Sequence, residues 1–141
     1  MVEATAATSK VILGSPEWLA LARVVLEELV ATHGKTGKSF SVSETFTDAP
    51  EGLIGPDATI AAWHFFIIDK TVSVAEGALD DADMTVSVSY ERALKGAKIV
   101  YPAFLGWLLM PIMRVIRLLR NQPNPPSYLM QLHNRLAVVT Q

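Results

Sequence analysis

The hydrophobic period changes twice along this chain, from helical to alternating and back to helical, and those changes fix the architecture open to it. Trp18, Ala22, Val25, Leu26 and Leu29 recur at helical spacing with Glu17, Arg23, Glu27 and Glu28 between them, the pattern of a helix lying on a core. Ser15-Pro16-Glu17 supplies its start, because Ser can cap, Pro is preset for the first helical position and Glu meets the positive end of the dipole. His33-Gly34 supplies the stop. From Phe40 the period becomes two: Phe40, Val42 and Phe46 share one phase, and Ser41, Ser43, Thr45 and Thr47 the other. Residues 58–68 are apolar in both phases, as a central strand requires, and Asp69-Lys70 turns tightly into the strand Thr71–Glu76. Met84–Tyr90 alternates again as a fourth strand.

The remainder reads as helices. Ser89 caps a short one through Ala97, Tyr101–Arg120 forms a second with a kink at Pro111, and Ser127 caps a last one carrying Tyr128, Leu129, Leu132 and Leu136. The expected fold is α+β: an N-terminal helix, a four-stranded mainly antiparallel sheet with Ser and Thr on its outer face, and C-terminal helices covering one face and enclosing an apolar pocket. A length of 141 residues suits one domain. Residues 1–14 are expected as a loose arm and 15–141 as the domain.

The apolar content needs an explanation. Half of the residues are apolar and only 18% are charged, more hydrophobic surface than a plain core of this size needs. The chain has no cysteine, which removes disulfides, thiolate metal sites and thiol nucleophiles. Its start carries Glu3 and no apolar run, unlike a secretory signal, so a cytoplasmic chain is expected. The long uncharged run from Ile99 to Met113 is broken by Pro102, Gly106 and Pro111 and falls short of the roughly 18–20 residues of a bilayer span. Net charge is −2 but uneven: five Lys/Arg against thirteen acids in residues 1–90, and seven against Glu91 alone in 91–141. The basic residues lack interleaved aromatics, so nucleic acid is not an expected partner.

Two stretches carry a family resemblance. Trp63-His-Phe-Phe-Ile-Ile-Asp69-Lys70-Thr-Val72 reads as a tryptophan strand, a tight turn and a valine strand. Asp81-Ala-Asp83-Met-Thr-Val-Ser-Val-Ser-Tyr90-Glu-Arg-Ala-Leu94-Lys-Gly96 adds an Ala-Asp strand entry, an alternating strand, an acidic helix start and a closing glycine. Over residues 38–97 the chain resembles the sterol carrier protein type 2 family. The resemblance implies a sheet and helices around an apolar tunnel for fatty acyl chains or sterols, with no metal and no catalytic residue. Two departures stand out: Lys70 replaces a usual glycine, and after Gly96 the sequence Ile-Val-Tyr-Pro-Ala-Phe-Leu-Gly-Trp replaces a Lys-rich strand and amphipathic helix.

The candidate site residues follow from these readings. The segment Phe104–Met113 is apolar on all sides, so it is expected to line a pocket, to fill core or to meet a partner. Trp18, Phe46, Trp63, Phe65, Met84, Phe104, Trp107, Leu108 and Met113 are the expected ligand-lining set. Glu44 shares the inward phase of its strand, and His64 shares a phase with Ile60, Ala62, Phe66 and Ile68. On adjacent strands facing one interior they would form an acid–base pair. Arg114, Arg117 and Arg120 recur every third residue opposite Ile112, Val115, Ile116 and Leu119, a pattern suited to an anionic membrane surface or to a solvated helix face. The leading expectation is a non-catalytic, cofactor-free carrier for a hydrophobic small molecule of fatty acyl, sterol or terpenoid type. The alternatives are a small cofactor-free isomerase, cyclase or hydrolase using Glu44 and His64, and a homodimerisation or membrane-contact module. No metal ligand set is expected.

Overall fold

A computed structural model of the chain describes residues 10–53, 60–119 and 125–141. Its elements are α1 (Pro16–His33), β1 (Ser39–Thr47), β2 (Ala61–Ile68), β3 (Thr71–Glu76), β4 (Met84–Ser89), α2 (Tyr90–Ala97), α3 (Ala103–Leu119) and α4 (Leu129–Ala137). The side chains of residues 103–107, 109, 110 and 113 in α3 lie outside the described part. The fold is α+β, with one open four-stranded sheet in the order β3-β2-β1-β4.

Local chemistry sets the ends of α1. The Ser15 hydroxyl accepts a hydrogen bond from the Trp18 N–H at 3.1 Å, Pro16 occupies the first turn, and the Gly34 N–H closes on Val30 O. The apolar stripe of α1 buries Trp18, Ala22, Leu26 and Val30 against Phe40, Trp63, Phe65, Ile67 and Val74 on one sheet face. Arg23 reaches from α1 to the edge of the sheet, donating to Val74 O at 2.6 Å.

β1 and β2 pair antiparallel, as do β2 and β3, but β4 runs parallel to β1. The chain leaves β3 at one edge and enters β4 at the other, so residues 77–83 cross the outer face beneath β2 and β1. This strap is tied down by side chains of that face. His64 Nδ1 lies 2.8 Å from Gly77 O, and since a carbonyl only accepts, Nδ1 carries the proton. The Ser43 hydroxyl accepts from Leu79 N–H at 2.9 Å. Ser41 and Asp83 hold each other reciprocally, with Ser41 N–H donating to Asp83 Oδ2 and Asp83 N–H to Ser41 Oγ, both at 2.9 Å. Ser41 and Ser43, expected on a solvated outer face, are therefore buried, and the acidic turn around Asp83 is a fastening.

Two further expectations are corrected at the ends. Of the loose arm expected over residues 1–14, residues 1–9 lie outside the described part, and Val11–Gly14 is packed. Val11 bridges in parallel to Thr140, with Val11 N–H on Val139 O at 2.8 Å and Gln141 N–H on Val11 O at 2.7 Å, and Leu13 joins the core. The expected Ser127 cap is displaced by one residue: Tyr128 occupies the cap of α4 and makes no side-chain capping bond. Ser89 does cap α2. α4 lies against α1 and α2 above the sheet, with Leu132 and Leu136 in the core.

Candidate functional site

Between the inner sheet face and the helices α2 and α4 lies an apolar chamber of about 340 Å³. Its floor is built by period-two alternation: Val42, Glu44 and Phe46 of β1, Trp63 and Phe65 of β2, and Met84, Val86 and Val88 of β4 share one face. Ala93, Gly96 and Ala97 of α2 and Leu129, Leu132, His133 and Leu136 of α4 form the opposing wall, with Tyr101 between them. Small residues on α2 leave the space open. A Cβ added at Gly96 would meet nothing within 4 Å.

The chamber has one carboxylate in its floor. Glu44 pairs across the strands with Trp63, whose indole Nε1–H donates to Glu44 Oε1 at 2.6 Å. Burial raises the Glu44 pKa above the usual carboxylate range, and the Trp63 hydrogen bond opposes that shift in part. Trp63 is itself held edge-on by Trp18, ring centres 5.1 Å apart, and Trp18 is anchored by its Nε1–H on Thr140 Oγ1 at 3.2 Å. The polar group at the floor thus rests on a chain of contacts reaching the last residues of the described structure.

On the far wall, the His133 ring lies tilted by 40° against Tyr101, ring centres 5.2 Å apart, and its Nε2 lies 2.8 Å from Ile99 O. Since a carbonyl only accepts, Nε2 is the donor in this contact. Asn134 binds both backbone groups of Tyr101, accepting from its N–H at 2.9 Å and donating to its C=O at 2.8 Å, which fastens the α2–α3 connection onto α4.

Trp18, Phe46, Trp63, Phe65 and Met84 of the expected set line this chamber. Leu108 does not; it is exposed on α3. The side chains of Phe104, Trp107 and Met113 lie outside the described residues. The expected Glu44–His64 acid–base pair is not formed. Register sets Glu44 opposite Trp63 and Ser43 opposite His64, so Glu44 faces the chamber while His64 faces the strap. Sequence reasoning missed His133, although Leu129, Leu132, His133 and Leu136 share the spacing of one buried stripe. Tyr101 carried no such signal.

Arg117 borders the floor, its Nη2 lying 3.0 Å from Met84 Sδ. Arg114 lines a second, more polar cleft of about 320 Å³ with His33, Lys35, Lys38, Asp69 and Tyr128. Arg120 lies outside the described residues. Among the described residues, no group of three His, Asp or Glu side chains could hold a metal ion. Compared with protein-family models, curated proteins and solved structures, the chain matches none of them.

Proposed function

We propose that the protein is a carrier that binds one hydrophobic small molecule, of fatty acyl, sterol or terpenoid type, non-covalently in the chamber beneath α2 and α4. The observation that carries this reading is an apolar chamber with a single carboxylate set into its floor. Its volume of about 340 Å³ falls in the range of small-molecule sites, which are mostly apolar with a few placed polar groups. Apolar contact supplies affinity at about 25 cal/mol per Å² buried. Glu44, raised toward its protonated form by burial, orients the ligand by hydrogen-bonding a hydroxyl or carboxyl group at its polar end. The resemblance of residues 38–97 to sterol carrier protein type 2 supports the same class of ligand. Separation of Glu44 from His64 takes away the acid–base pair on which the enzyme reading rested.

Native mass spectrometry of the purified chain, followed by organic extraction, tests the proposal. A co-purifying lipid-like molecule, or stoichiometric uptake of an added fluorescent fatty acid, is expected. A chain that neither carries nor takes up any apolar ligand would overturn it.

A further inference from the structure

Glu44 leaves one oxygen for the chamber. Its Oε1 accepts from Trp63 Nε1–H, and among the described residues no group donates to Oε2. The residue is half-buried, and because it joins the chamber lining, the surface it keeps faces that space. Trp18, Trp63 and His133 commit their ring N–H groups to Thr140, to Glu44 itself and to Ile99 O. In the floor, Oε2 is thus the polar atom still open to a guest. An acceptor set among apolar side chains is costly until a donor reaches it.

Charge and volume narrow the guest. Among the described residues no Lys or Arg lines the chamber; Arg117, at the Met84 edge of the floor, is not part of the lining. A carboxylate head would enter as a second anion beside Glu44, or as a desolvated charge beside its protonated form, with no Lys or Arg in the lining to neutralise it. A hydroxyl both donates and accepts, so it satisfies Glu44 in either protonation state. Since Glu44 lies in the floor, the hydroxyl goes in first and the apolar tail runs up toward α2 and α4. An apolar cavity of about 150 Å³ holds benzene, or about 25 Å³ per heavy atom, and on that scale a chamber of about 340 Å³ holds about 14. A sterol carries about twice as many, in a rigid frame that cannot trail out of the mouth.

We infer that the chamber selects an uncharged aliphatic or terpenoid alcohol of about 14 heavy atoms, taken head-first with its hydroxyl donating to Glu44 Oε2. The inference rests on the carrier reading of this chamber and narrows its ligand. Tryptophan fluorescence tests it, by titrating the full chain at mildly alkaline pH with decanol, dodecanol, tetradecanol and hexadecanol, and with dodecanoate and cholesterol for comparison. Affinity should rise about fourfold per methylene while the tail lies inside, and then level off. Hexadecanol should therefore bind no more than about twofold tighter than tetradecanol, where continued burial would give about sixteenfold. Dodecanoate should bind at least about tenfold more weakly than dodecanol, and cholesterol should not bind. Glu44→Gln removes the charge and offers an N–H donor, so it should bring dodecanoate to within about threefold of dodecanol. Dodecanoate or cholesterol binding as tightly as dodecanol, affinity still climbing at hexadecanol, or full discrimination kept in Glu44→Gln would overturn the inference and leave the carrier reading standing. A chain that binds none of these compounds would take the carrier reading down with it.

Discussion

Replacing Gly96 by leucine should stabilise the protein and at the same time empty its chamber of ligand. Gly96 lies in the last turn of α2 on the chamber wall, and a Cβ there meets nothing within 4 Å. Exchanging glycine for a good helix former contributes about 0.5–1 kcal/mol. A leucine side chain fully buried would add about 1.5–3 kcal/mol, and roughly half of that is realistic in an open chamber, for a total near 2 kcal/mol. For a chain of this length, that raises Tm by about 7 °C. The new side chain occupies the volume a ligand would use, so displacement assays with a fluorescent fatty acid should show affinity reduced at least tenfold. Scanning calorimetry and the displacement assay on the same preparation decide the matter. A fall in Tm would show that the space at Gly96 is not open, and a raised Tm with undiminished binding would remove the chamber as the ligand site.

Three further outcomes are expected. Because burial raises the Glu44 pKa, its contribution to stability is fully present below the unfolded carboxyl value of about 4.3 and is lost as the pH rises through the folded value. Glu44→Gln should accordingly be more stable than the parent at neutral pH and equal to it in acid, as read by urea denaturation across that range; a variant less stable at neutral pH would refute the assignment. Asp83→Ala removes the acceptor for Ser41 and should cost about 2 kcal/mol, with faster proteolysis in the strap 77–83 as its local signature. Leu132→Ala, at a buried position of α4 on the chamber wall, should cost about 2–4 kcal/mol by thermal or denaturant unfolding.

The elements themselves were legible because their signals are local. Ser15-Pro16 and His33-Gly34 bound α1, Asp69-Lys70 joins β2 to β3, and Ser89 caps α2, each by chemistry contained within a few residues. The relations between elements were less so. Alternation reports which residues share a face and is silent on strand direction, so the parallel setting of β4 beside β1 left no trace in the sequence. That setting is also why Ser41 and Ser43 are buried: polar residues look solvated until a crossing segment covers them. Glu44 and His64 were each phased correctly within their own strands, but only the register Glu44↔Trp63 reveals that the two phases point to opposite faces. Of the chamber, the aromatic floor was readable from Trp63, Phe65 and Phe46, whereas the far wall depends on how α4 docks, which tertiary contacts alone decide.

The strap has a kinetic corollary. β1, β2 and β3 follow one another and can pair as a meander, but β4, separated from the end of β1 by 36 residues, joins it only after the strap 77–83 has been laid across the outer face. Such non-local closure is slow because loop entropy is lost before the new contacts form. β4 also delivers Met84, Val86 and Val88 to the chamber and leads directly into α2, so the cavity is complete only when this last step is finished. A ligand that recognises the finished cavity would therefore leave the folding rate nearly unchanged and act as a brake on unfolding.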